Sequence, residues 1–123
     1  MKSKHIFLDL VLISFPITAI TSIIHRITGI LLFFSIPIIL YFLDLSLKSN
    51  SSFDVLKVLM CKSHIKILLL LLLFSFLYHL INGIKHMVME LGFFDSKSGS
   101  KKFTVVFLFI TVFLFILSFI CLY

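Results

Sequence analysis

Phe103–Tyr123 is a run of 21 residues without a charged side chain. At about 1.5 Å per residue, a helix of that length spans roughly 30 Å, the thickness of the hydrocarbon core of a bilayer. Two further runs share this character. Ile23–Leu47 has its apolar heart at Ile30–Leu43, interrupted by Pro37, and Ile65–Leu91 includes six consecutive leucines, Leu68–Leu73. Pro37 removes one backbone donor and predicts a kink in its helix. The chain therefore reads as an all-α integral membrane protein with three transmembrane helices, at about 23–47, 65–91 and 103–123, in a single transmembrane domain covering 1–123. The N-terminal segment 1–22 precedes the first span. Its part before Pro16 is too short to cross and reads as a short interfacial helix, with Asp9 in contact with water or a partner.

Composition excludes other classes. Hydrophobic residues make up 61% of the 123 residues and the mean hydropathy is +1.25. A soluble domain of this size could not hide so much apolar surface. With 13% charged residues, a disordered chain is excluded as well. The formal net charge of +6 does not point to nucleic acid, because the lysines flank the apolar runs and form no basic stripe on a soluble face. No cleavable signal peptide is expected. The early apolar run Ile6–Phe15 contains Asp9, is followed by Pro16 and lacks a small-residue cleavage pattern. Two cysteines, Cys61 and Cys121, are too few for a disulfide framework. Cys61-Lys-Ser-His64 has a metal-like spacing but no second pair to complete a tetrahedral site. The absence of C-x-x-C-H excludes covalent haem attachment.

Cations set the expected orientation. The N-terminal side and the second loop hold Lys2, Lys4, Arg26, Lys85, Lys97, Lys101 and Lys102, whereas the first loop and its flanks hold Lys48, Lys57, Lys62 and Lys66. The positive-inside rule then puts the N-terminus and the 92–102 loop in the cytoplasm and the C-terminus in the periplasm.

Two stretches carry ionisable groups into the apolar runs: Ser22-Ile-Ile-His25-Arg26-Ile-Thr-Gly29 and His79-Leu-Ile-Asn82-Gly83-Ile-Lys85-His86. An Arg or Lys at the centre of a membrane helix costs about 2.5–3.5 kcal/mol on insertion scales, so such groups face a partner helix, a ligand or water. Residues three and four apart share a helix face. In the second span this predicts one stripe of Ser75, His79, Asn82, Gly83, His86 and Glu90, and in the first a face with Thr18, Ser22, His25, Arg26 and Gly29. His79 is the deepest ionisable group. Spacing alone leaves two readings open for it: a metal or haem ligand with its other ring nitrogen held by Ser75 or a backbone carbonyl, or a histidine bonded to a neighbouring helix. Arg26 reads either as a fork of donors for carboxylates or a quinone oxygen or as an arginine snorkelling to the interface. His5 and His64 lie outside the spans and read as solvated.

These residues carry a family resemblance. Phe15-Pro16-Ile-Thr-Ala-Ile-Thr-Ser22-Ile-Ile-His25-Arg26-Ile-Thr-Gly29, followed by His79-x-x-x-Gly83-Ile-Lys85-His86-Met-x-Met-Glu90-x-Gly92, resembles the cytochrome b subunit of bacterial succinate dehydrogenase, respiratory complex II. The likeness runs from about Leu8 to the C-terminus. It implies a membrane anchor in the bacterial inner membrane, non-catalytic towards succinate, that serves electron transport in the tricarboxylic acid cycle. The implied partners are a second membrane-anchor subunit, an iron–sulfur subunit and a flavoprotein subunit, and the implied cofactor is haem b shared between the two anchors. By this likeness His79 is an axial ligand of the haem iron. Ser22 and Arg26 line the site where ubiquinone is reduced, and His25, Arg26 and His86 are candidates to contact the haem propionates. Lys85 stands where the family commonly has Arg, and Lys4-His5 where an Arg-Pro pair is common. Two alternatives stay open on the residues alone: an anchor of a quinol:fumarate reductase, and a structural membrane subunit without a cofactor.

Overall fold

The computed structural model describes residues 16–93 and 96–122, and the expected N-terminal interfacial helix lies outside them. Four helices follow in order: α1 (Ile17–Lys48), α2 (Asn50–Met60), α3 (Ser63–Glu90) and α4 (Lys97–Leu122). Three of them, α1, α3 and α4, are long and apolar enough to cross a bilayer. The helix α2 is an addition. The sequence reads this stretch as a polar connection because Lys48-Ser-Asn-Ser-Ser52 looks like a loop.

Local chemistry explains each boundary. Pro16 is extended, and its carbonyl accepts the N–H groups of Ala19 and Ile20 at 2.9 and 3.2 Å, opening α1. The helix continues through Pro37 to Lys48. Ser49 then adopts extended backbone, and its Oγ accepts the Ser52 N–H at 3.2 Å, which makes it the N-cap of α2. Leu56 of α2 turns inward, while the Lys57–Asp54 pair, 3.1 Å apart, is exposed and contributes little. The end of α3 is set by Gly92, whose φ of +84° is a conformation that glycine adopts without strain. Ser96 opens α4 by accepting the Gly99 N–H at 3.0 Å.

The bundle packs α1 against α3 and α3 against α4, with α1 and α4 also in contact. Its polarity is inverted relative to a soluble protein. Large apolar side chains such as Phe33, Phe34, Phe109 and Phe113 are exposed, and the fully buried ones are mostly polar: Thr21, Thr28, Ser35, Ser75, Asn82, Lys85, Thr104 and Thr111. Lipid is as apolar as leucine, so nothing drives leucines inward, and small side chains let the backbones approach. The buried residues recur every seven positions. Thr21, Thr28 and Ser35 do so on α1, Ser75 with Asn82 and Tyr78 with Lys85 on α3, and Thr104 with Thr111 on α4. A seven-residue spacing keeps one face toward a neighbouring helix over several turns. Most of these hydroxyls bond within their own helix. Thr21 donates to the Thr18 carbonyl, Thr28 to that of His25, Ser35 to that of Leu32 and Thr111 to that of Phe107.

Thr21 also ties α1 to α3. Its Oγ1 accepts from the Lys85 Nζ at 3.2 Å, and its carbonyl accepts from the Tyr78 hydroxyl at 3.2 Å. Lys85 is only 1% exposed, so that oxygen is its link to the rest of the bundle. Thr21→Val keeps the shape and removes the acceptor. It is expected to destabilise the bundle by about 1.5–3 kcal/mol, the range for a lost hydrogen bond to a charged group. Ser118→Ala, which removes a hydroxyl bonded only to the Leu114 carbonyl of its own helix, should stay within about 0.5 kcal/mol. Equilibrium unfolding of the two variants in mixed micelles checks the contrast.

Candidate functional site between α1 and α3

The site grows from a pattern present on both helices. His25-x-x-x-Gly29 lies on α1 and His79-x-x-x-Gly83 on α3. Four residues is just over one helical turn, so each glycine sits beneath its own histidine and opens a notch in the helix surface. The crossing of α1 and α3 brings each histidine to the other helix's notch. A Cβ added at Gly29 would lie 2.9 Å from Cε1 of His79, and one added at Gly83 would lie 3.5 Å from Nε2 of His25.

The two imidazoles stack, with centroids 4.1 Å apart and planes 8° from parallel. Each bonds the other's main chain. His25 Nε2 lies 3.1 Å from the His79 carbonyl, and His79 Nδ1 lies 3.1 Å from the His25 carbonyl. A carbonyl only accepts, so both ring nitrogens donate, and this fixes the tautomers. Neutral His25 keeps its lone pair on Nδ1, and neutral His79 keeps its lone pair on Nε2. Thr28 completes the arrangement: its hydroxyl donates to the same His25 carbonyl at 2.8 Å and approaches His79 Nδ1 at 3.4 Å. Of the two holders the sequence offered for His79, the structure uses a backbone carbonyl; Ser75 Oγ is buried with no partner among the described residues.

His86 joins this pair. Its ring centroid is 5.4 Å from that of His25, tilted by 51°, and its Nε2 is buried without a hydrogen-bond partner among the described residues. Asn82 donates to the Tyr78 carbonyl at 3.1 Å, whereas its Oδ1 is likewise buried and unpartnered. Three histidines and one buried lysine thus meet at one end of the α1–α3 interface. Chemically the three imidazoles offer one lone pair each when neutral, beside one buried lysine and several unsatisfied polar atoms.

The structure divides the residues that the sequence grouped. His25, His79 and His86 come together, and Gly29 and Gly83 lie under them. Ser22 is half-buried, and Arg26 is exposed with no hydrogen bond or ion pair among the described residues. The expected common face of α1 is therefore split, because Arg26 is one 100° step around the helix from His25. On α3, Glu90 is exposed and does not extend the buried stripe, whereas Lys85 belongs to it. Lys85 sits three residues from Asn82 and seven from Tyr78, a register that would have identified it. Cys61 and Cys121 are both free and exposed, away from this site.

Comparison with known proteins agrees with the resemblance. The succinate dehydrogenase cytochrome b556 subunit of Coxiella burnetii is 41% identical over 90 residues, which are 72% of this chain and 72% of that protein. The subunit of the same name from Rickettsia bellii is 41% identical over 76 residues, 62% of this chain and 58% of its relative. That of Rickettsia prowazekii is 39% identical over 77 residues, 63% and 59% of the two chains. Residues 1–118 match the succinate dehydrogenase/fumarate reductase transmembrane subunit family, and the chain belongs to that family.

Proposed function

We propose that this chain is the membrane anchor of a succinate:ubiquinone oxidoreductase in a bacterial inner membrane. In this reading it holds haem b together with a second membrane-anchor subunit and forms part of the ubiquinone-reduction site, while succinate is oxidised on a flavoprotein subunit and electrons arrive through an iron–sulfur subunit. The names of its relatives favour succinate oxidation over fumarate reduction as the direction.

One observation carries the haem assignment. His79 Nδ1–H is committed to the His25 carbonyl, which leaves the Nε2 lone pair without a hydrogen-bond partner among the described residues. That is the tautomer an iron requires, with the outer nitrogen held by an acceptor as ligating histidines usually are. Among the described residues no group of three or more His, Cys, Asp or Glu side chains is arranged to hold a metal ion by itself. This chain therefore suits a group that takes one ligand from it and another from a partner. When bound, a haem with two histidine ligands supplies single-electron exchange, with no open position for oxygen.

The remaining residues have distinct tasks. His86 and Arg26 can give donors to propionate carboxylates. His25 already gives its Nε2–H to the His79 carbonyl, so it can serve a carboxylate through Nδ1 only as an imidazolium. Ser22 and Arg26 stand four apart on α1, near its N-terminal end. There an exposed guanidinium and a hydroxyl can meet a quinone entering from lipid. Quinone oxygens gain negative charge on reduction, so fixed donors favour the reduced form over the starting quinone.

Three outcomes are expected. His79→Leu in an assembled complex should abolish or severely perturb the b-type band of the reduced-minus-oxidised spectrum, and an unchanged band removes His79 as the ligand. Ser22→Ala and Arg26→Leu should lower electron transfer to ubiquinone about ten- to a hundredfold, the worth of a charge-assisted hydrogen bond of about 1.5–3 kcal/mol. Succinate oxidation with a soluble acceptor should survive in both. Parallel loss of the two activities would assign these residues to assembly instead. Finally, three crossings place Cys61 and Cys121 on one side. A membrane-impermeant maleimide should label both from the periplasm, and the double Cys→Ser variant should keep assembly and quinone reduction.

A further inference from the structure

The notches under the two stacked histidines are unequal, and the inequality has a chemical consequence. A methyl group at Gly83 would meet His25 at 3.5 Å, an ordinary contact. The same methyl at Gly29 would meet His79 at 2.9 Å through Cε1, the carbon between the two ring nitrogens, with Nδ1 at 3.4 Å and Nε2 at 3.9 Å. The edge of His79 that carries both ring nitrogens therefore rests on Gly29, and the ring itself is what must give way. A methyl there must turn the imidazole, drawing Nδ1 off the His25 carbonyl and redirecting Nε2.

The hydrogen bond itself is shared. The His25 carbonyl accepts from His79 Nδ1 at 3.1 Å and from the Thr28 hydroxyl at 2.8 Å, while Thr28 Oγ1 stands 3.4 Å from Nδ1, a longer contact than the one the hydroxyl makes with the carbonyl. A second, shorter donor draws electron density from that oxygen and weakens its pull on the imidazole N–H. The weaker that pull, the less electron-rich the ring and the poorer its Nε2 as a donor to a metal.

We propose that Gly29 and Thr28 of α1 are positioning residues for His79, Gly29 setting the rotation of its imidazole and Thr28 the donor strength of its Nε2, so that α1 tunes a haem to which, within this chain, only α3 gives a ligand. The inference rests on the reading of His79 as the axial ligand. It adds that the tuning is steric and electronic, acts through one backbone carbonyl, and comes from residues that do not touch the iron.

The test uses the assembled complex in membranes, with Gly29→Ala, Gly83→Ala and Thr28→Val compared with the parent chain. The readouts are the reduced-minus-oxidised spectrum, the haem midpoint potential and the low-temperature EPR g values, which respond to the orientation of the ligand rings. Gly29→Ala should shift the g values and the potential, while Gly83→Ala leaves both at parental values. Thr28→Val keeps the side-chain volume and removes the competing donor. It should move the potential downward, because a more electron-rich imidazole favours the oxidised iron. If Gly29→Ala yields no assembled complex, Thr28→Val decides alone. Parental g values in an assembled Gly29→Ala complex, or a parental potential in Thr28→Val, would overturn the inference. The reading beneath it fails differently: a b-type band that persists in His79→Leu removes the ligand assignment whatever the glycine variants do.

Discussion

An imidazole N–H placed in hydrocarbon must find an acceptor inside the protein, since no water is at hand and an unsatisfied polar group there is expensive. The α1–α3 crossing meets this demand twice in one arrangement, with each histidine donating to the carbonyl of the other. Such reciprocity requires the two backbones to approach until a ring on one helix reaches the main chain of the next. At Gly29 only an absent side chain leaves that room, whereas a methyl at Gly83 would make an ordinary contact with His25. The position of α3 along α1 is thereby set, and with it the meeting of Lys85 with Thr21 and of Tyr78 with the Thr21 carbonyl.

The hydroxyl seam follows the same logic. A leucine in this interface would gain nothing over a leucine in lipid and would hold the helices apart. A serine or threonine bonded to its own i−3 or i−4 carbonyl is small, internally satisfied and indifferent to exposure. Seams of this kind bring helices together without fixing their register. Register comes from the few polar contacts between helices, and those concentrate at the histidine end. The opposite end of α1, from Ser35 onward, has hydroxyl packing and lipid-facing Phe and Ile but none of the histidine contacts. The interface is thus specific where its ionisable groups lie and permissive elsewhere.

The spans were legible because charge-free length is a one-dimensional property. Phe103–Tyr123 and the leucine run of α3 need no partner to be read. The short helix α2 was not, since Lys48-Ser-Asn-Ser-Ser52 is equally the composition of a loop and of an N-cap followed by a helix. The cue was Ser49 ahead of Phe53, Leu56 and Met60 at helical spacing. At the site, the likeness of the two His-x-x-x-Gly elements was visible as residue types on two separate helices. That each histidine fills the other helix's glycine was not visible, because it depends on the register between helices, which no single helix encodes. Lys85 is missing from the expected stripe of α3 for a related reason. A lysine near a helix end is expected to reach for water, but position 85 falls on the buried seam, and the side chain turns inward to Thr21.

Adjacent residues of α1 end in different surroundings, and the helical step explains why. His25 turns into the crossing, and Arg26, 100° further round, is left exposed. Ser22 precedes Arg26 by one turn on that outer side, as Thr21 precedes His25 by one turn on the inner side. A single helical segment can in this way present an inner edge to a group held between helices and an outer edge to a ligand arriving from lipid. The two edges share one backbone. A displacement of α1 that loosened the His25–His79 pair would also move Arg26, so the stability of the inner contacts bears on the precision of the outer ones. The polar contacts between α1 and α3 are concentrated within the two turns from Thr21 to Thr28, the segment from which both edges project.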